Sequence, residues 1–231
     1  MEIGEKTLEI MNTAGWYNNW LLKQIAKHLK GDILEVGAGI GNFTSKLSKY
    51  GNITAIDYDP NYKNANYGDI EKGKYFFGKN LPAARLPAGQ GRQESFDTIV
   101  CMNVLEHIKD DRKALKNMFS LLNKNGKLIL LVPAHQWAYG QMDAGLGHFR
   151  RYTKIEVERK LHDSRFLIQD SRYLNWLGLI GWFINAKILK RKTIPEGQLG
   201  LFDKLARPFL ILEEFIRPPF GLSVLAIGEK K

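Results

Sequence analysis

The chain of 231 residues holds one cysteine, Cys101, which excludes an intramolecular disulfide and the secreted scaffolds built on disulfides. It also lacks a long hydrophobic run. The uncharged stretch "YLNWLGLIGWFINA" covers only residues 173–186, against the roughly 20 apolar residues a spanning helix needs. "MEIGEKTLEIM" has no apolar core of a signal peptide, so a reducing, cytoplasmic setting is expected, with the inner membrane face as an alternative. Acid is in short supply: 34 Lys+Arg stand against 24 Asp+Glu, a net +10. The basic residues are scattered rather than gathered in an appended domain, so nucleic acid is not an expected partner. There is no internal repeat, low-complexity tract or interdomain linker.

What is present is an alternation of apolar strands and amphipathic helices through the first 170 residues. That pattern predicts a parallel sheet with helices on both faces. Residues 1–30 read as a helical cap, 31–173 as the core, 174–220 as a helical insertion and 221–231 as the last strand, all in one domain. Helices are expected over 111–126 and from Lys154, with Thr153 as amino-terminal cap.

"ILEVGAGIGNFT", residues 33–44, sets Glu35 ahead of glycines at 37, 39 and 41. Glycines after a strand let backbone and ligand approach closely. A dinucleotide site needs its third glycine at 42, which is Asn42, and Glu35 would repel a pyrophosphate. No Gly-Lys-Ser/Thr follows, which excludes a P-loop. An acid before such a loop suits a ligand with a cationic end and no phosphates, and S-adenosylmethionine is one. Asp57, 20 residues beyond Gly37 at the end of "NITAID", is placed to accept from ribose hydroxyls.

"EVGAGIGN", "AIDYDP" and "FDTIVCMNVLEHIKDD" resemble the first, second and fourth motifs of class I S-adenosylmethionine-dependent methyltransferases, over residues 15–173. The resemblance implies a Rossmann-like, doubly wound α/β fold with a mostly parallel seven-stranded sheet. It implies that Glu35, Gly37, Ala38, Gly39, Gly41 and Asn42 line the methionine part of the cofactor. Asp57, with Tyr58, would hold the ribose, and Met102 and Asn103 would lend backbone beside the cofactor. Where the family usually has an acid for the adenine amino group, this chain has Asn80, followed by Leu81, with Asp69 in "YGDI" as the alternative.

A second polar cluster, "PAHQWAYGQMDAGLGHFRRYT", covers residues 133–153 after the fifth predicted strand, where acceptor recognition is expected. "GHFRRYT", together with "NVLEHI" and "PFGLS", resembles a bacterial subgroup of the same family. Transfer to oxygen requires a proton to leave, and His107, His148 and Asp143 are the candidates for that task. Tyr139, Arg150, Arg151 and Trp176 are candidates for contacting the acceptor. Two alternatives stand beside these: His107 caps its turn, and the arginines pair with acids to pin the loop. No metal ligands are expected.

Trp176, Trp182 and Phe183 next to "KILKRK" suit a lid, a dimer contact or a peripheral membrane contact over 174–192. The expected activity is therefore O-methylation of a small-molecule or lipid-linked acceptor. The rivals are a nucleic-acid methyltransferase, a non-catalytic binding module and, less favoured by Glu35 and Asn42, a dehydrogenase. Composition gives no oligomeric state.

Overall fold

The computed structural model describes residues 8–9, 12–75, 95–191 and 198–231. Its strands are β1 (Asp32–Val36), β2 (Asn52–Asp57), β3 (Asn66–Asp69), β4 (Lys74–Tyr75), β5 (Phe96–Met102), β6 (Leu122–Pro133), β7 (Leu167–Leu174) and β8 (Ser223–Glu229). They form one sheet in the order β4-β3-β2-β1-β5-β6-β8-β7. The pairs β2–β3, β1–β2, β1–β5 and β5–β6 are parallel, and β8 runs antiparallel to both β6 and β7. Val36 pairs with Ile56 on one side and Cys101 on the other, so the carboxyl ends of β1, β2 and β5 lie level.

The sheet has eight strands rather than the expected seven. The addition is β3, drawn from a polar stretch without a strand's apolar alternation. It needs none, because it pairs near the sheet edge through Asn66 and Tyr67. Gly68 lets it lie close to β2: a Cβ there would stand 2.8 Å from the Cβ of Ile56.

Each central strand is apolar on both faces, which obliges both to be covered. Leu34, Ile99, Cys101, Leu128 and Leu130 enter one core cluster, while Ile33, Val100, Ile129 and Leu131 enter the other. Of the helices, α1 is Gly15–Ile25, α2 Thr44–Leu47, α3 Asp111–Leu121, α4 Gln141–Leu146 and α5 Lys154–Asp163. α6 is Trp176–Phe183, continued by a π-helical turn over Ile184–Ile188, and α7 (Gln198–Leu205) and α8 (Arg207–Leu212) follow. Leu115 and Met118 of α3 and Val157 and Leu161 of α5 pack on the first face. Trp20, Leu21 and Ile25 of α1 and Leu210 of α8 pack on the second.

Helix α3 stops at Leu121, short of the expected 126, because Leu122 already pairs with Phe96 in the sheet. Helix α5 starts as expected, in a capping box: Glu156 N donates to Thr153 Oγ1 at 3.2 Å and Thr153 N to Glu156 Oε2 at 2.7 Å. No described helix is long and apolar enough to cross a membrane.

The insertion between β7 and β8 is fastened to the amino-terminal helix. Trp20 Nε1 donates to the Leu210 carbonyl at 3.0 Å, and Tyr17 N to Asp203 Oδ1 at 2.8 Å. At its start, Asn175 N and Trp176 N both donate to the buried Glu213 carboxylate, each at 2.7 Å. Glu213→Ala strands both donors, and urea unfolding should show a loss of about 1–3 kcal/mol. Glu213→Gln, which keeps one acceptor oxygen, should lose less.

Candidate active site

The first half of the site lies where β1 and β2 end. Glu35 is buried, and Thr44 Oγ1, at the start of α2, donates to its Oε2 at 2.6 Å. Burial pushes its carboxyl up to about 7; the Thr44 hydrogen bond pulls the other way and the charge of Asp57 adds to the rise. Asp57 is buried as well: its Oδ2 accepts from Gly39 N at 2.9 Å and its Oδ1 from Asp59 N at 3.0 Å. Each oxygen keeps a lone pair for a ligand hydroxyl. Burial raises the Asp57 carboxyl, against these backbone bonds.

Gly37 has φ +74°, and a Cβ on it would lie 2.2 Å from Val104 Cγ2. The glycine therefore makes room for the loop that follows β5. Ala38 is buried in the same turn, and Asn42 Nδ2 donates to the Leu8 carbonyl at 3.0 Å. Tyr58 is exposed beside Asp57. Met102 packs on the second core cluster, and Asn103, at φ 54°, turns the chain while its N donates to the Leu131 carbonyl at 2.8 Å. Asn80 and Leu81 lie outside the described residues.

The turn at Asn103 delivers the second half of the site through a 3-10 turn, Leu105–His107. His107 and His148 meet edge to face, ring centroids 4.6 Å apart. Asp143 Oδ1 lies 2.9 Å from His148 Nδ1 and accepts from Arg151 Nε at 2.7 Å, while Asp143 Oδ2 accepts from Gly140 N at 2.9 Å. Burial alone would raise the Asp143 carboxyl, but His148 and Arg151 outweigh it and hold the group below the usual range. With Asp143 ionised, the imidazole proton sits on Nδ1 and the Nε2 lone pair is left to receive a proton. Burial, helped by His148, holds His107 down to about 4, so its ring is neutral.

Sequence reasoning missed Glu106. It is buried with its Oε2 lacking a hydrogen-bond partner among the described residues, and burial pushes its carboxyl up to about 7. Donor atoms of Glu106, His107 and His148 all come within 4.8 Å of one another, a set with the composition of a cation site, although no metal ligands were expected. The grouping escaped notice because 41 residues separate His107 from His148. Buried His135, at φ 64° between the rings of Trp137 and Tyr173, is a second omission, and nothing local in the sequence marks it.

Both arginines pair with acids. Arg151 is buried against Asp143 and also donates to the Ala134 carbonyl at 3.1 Å. Arg150 NH1 lies 2.9 Å from Asp111, which also receives Lys160 and the Tyr152 hydroxyl. Tyr139 OH donates to the His148 carbonyl at 2.7 Å. Trp176 sits away from this loop with its ring edge on Phe209, 5.8 Å between centroids. Its neighbour Trp182 covers the loop instead, with the Arg151 guanidinium 4.5 Å from its ring.

A family model described as a methyltransferase domain matches residues 18–180. A ubiquinone biosynthesis O-methyltransferase from Xanthomonas euvesicatoria pv. vesicatoria is 35% identical over 100 residues, 42% of this chain and 41% of that protein. The match thus spans less than half of the relative. A solved methyltransferase from Thermotoga maritima, described as a possible histamine N-methyltransferase, is 18% identical with a TM-score of 0.58, covering 100% of this chain and 99% of its own. An S-adenosylmethionine-dependent methyltransferase from Archaeoglobus fulgidus is 12% identical with a TM-score of 0.57, covering 90% and 91% respectively. At such identities the two structures establish the fold.

The state of Glu35 sets a pH dependence. A carboxyl whose folded value lies above its unfolded one makes the folded state bind more protons, so stability falls as pH rises from about 4.5 to about 7. Glu35→Gln should therefore stabilise the ligand-free protein near pH 8 by about 2–3 kcal/mol and change little below pH 4.5. Thermal unfolding at the two pH values checks this; an equal effect at both would contradict the assignment.

Proposed function

The chain belongs to the methyltransferase-domain family, and from that membership we propose that it transfers a methyl group to an oxygen of a small-molecule or lipid-linked acceptor. The observation that carries this reading is the adjacency of two unlike halves. A buried acid and a glycine loop suited to a cationic cofactor touch, through Gly37 and Val104, the turn that bears Glu106 and His107. S-adenosylmethionine, when bound, supplies an electrophilic methyl group on a sulfonium. Glu35 suits its ammonium end, the backbone of 37–41 admits close approach, and Asp57 keeps lone pairs for two ribose hydroxyls.

The second half of the site suits oxygen as the accepting atom. A hydroxyl must lose its proton as it attacks, and Asp143 presents His148 with Nε2 open for that proton. Neutral His107 and Glu106, whose Oε2 has no hydrogen-bond partner among the described residues, complete the polar wall on which the acceptor oxygen is held. The O-methylating relative supports the same choice. Most of the rate comes from positioning, because in-line displacement at a sulfonium needs little else from the protein.

Calorimetry with S-adenosylmethionine and transfer of tritiated methyl to a panel of phenols and carboxylic acids test the reading. His148→Ala is expected to lower kcat by about 100- to 10,000-fold, leaving donor affinity unchanged. Donor binding without transfer would favour a non-catalytic module. Methyl found on nitrogen or on nucleic acid would overturn the choice of oxygen. Loss of activity in a chelator, restored by a divalent cation, would replace His148 as proton acceptor by a metal at Glu106, His107 and His148.

A further inference from the structure

The insertion leaves an unusual surface. Ile180, Ile184 and Ile188 follow one another at four-residue spacing along α6 and its π-helical turn, and all three are exposed, Ile188 at 62%. Phe209 and Leu212 of α8 and Ile216 beyond it form a second exposed row, with Phe215 beside them at 80%. The two rows join where Trp176, one turn before Ile180, meets the Phe209 ring. Isolated surface apolar residues are ordinary, but two adjoining rows of this size mark a contact surface.

Charge says what the contact is. Lys187, Lys190 and Lys204 are exposed and make no ion pair among the described residues. The described carboxylates of the same region are engaged within the protein: Asp203 by Tyr17 N and Arg207, Glu213 by Asn175 N and Trp176 N, and Glu214 by Lys23. Among the described residues, a second copy of the chain would bring lysine against lysine with no free acid of this region to match. An anionic bilayer offers both things the surface calls for, an apolar interior and negative headgroups.

A cleft of about 400 Å³ opens beside this face, lined by Tyr139, Gly140, Ala186, Lys187 and Lys190. Its walls touch: a Cβ on Gly140 would lie 2.9 Å from the Cβ of Ala186. Tyr139 in turn bonds to the carbonyl of His148, so one wall of the cleft is tied to the segment that bears His148.

We infer that this face docks on an anionic lipid bilayer and that the cleft admits a membrane-resident amphiphile with an anionic head as the methyl acceptor. Docking stands on the surface alone, whereas the acceptor rests on the methyltransferase reading.

Flotation with phosphatidylcholine vesicles, with and without phosphatidylglycerol, tests docking on the full chain. The protein should float with the anionic vesicles at low salt and not with the neutral ones. Lys187→Glu with Lys190→Glu, and separately Ile188→Ser with Phe215→Ser, should each weaken binding about tenfold or more. These side chains are exposed, and unchanged circular dichroism and donor affinity in the Ile188/Phe215 variant would exclude misfolding. No flotation at low salt overturns docking, as does a dimer in sedimentation equilibrium that Phe215→Ser dissociates. Loss of donor binding by the wild type would sink the methyltransferase reading and leave docking standing. With tritiated donor and vesicles of a bacterial lipid extract, label should enter the organic phase; label confined to water-soluble products overturns the acceptor class.

Discussion

The buried carboxylate of Asp143 holds the second half of the site together. It draws Arg151, His148 and the backbone of Gly140 onto one group. Arg151 extends that hold to the end of β6 through the Ala134 carbonyl and to the insertion through the face of Trp182. One desolvated acid thus ties His148, the segment 134–153 and, through Arg151, the face of Trp182 on α6 to one another. An unpaired acid or an unpaired arginine at that depth would cost several kcal/mol.

Buried acids in this protein fall into two kinds, and the division is informative. Asp143 and Asp111 are held low because cationic partners outweigh the burial that would raise them. Glu35 and Glu106 are both pushed up to about 7, chiefly by burial. The first two are structural anchors satisfied within the chain. Neither of the other two has a cationic ion-pair partner among the described residues, which is the environment expected of groups at a functional site.

Local features could be read from the chain. Glu35, the glycines and Asp57 sit on consecutive strand ends, and the alternation of apolar residues identified the central strands because each is covered on both faces. β3 was not legible, since a strand near the sheet edge needs no apolar pattern. The Glu106–His107–His148 group was only half visible, because the turn after β5 and the distant segment bearing His148 meet only in the folded chain. Trp176 and Trp182 could not be told apart for a similar reason. Both lie on α6, and the anchoring of Asn175 and Trp176 by Glu213 fixes how that helix meets the loop, with Trp182 over Arg151. The two arginines carried two meanings in the sequence, and their acidic partners lie too far along the chain to be assigned from it.

The position of β8 bears on how the protein is made. This strand is later in the chain than the insertion, yet it lies between β6 and β7 and supplies every hydrogen bond that joins β7 to the sheet. During synthesis the hydrophobic flank of β6 must wait, unpaired, while some ninety further residues emerge. Throughout that interval the nascent chain presents an open sheet edge, the kind of surface that recruits wrong partners. Closure is a late, long-range event, so the ribosome-bound intermediate has more need of a chaperone than the finished molecule has.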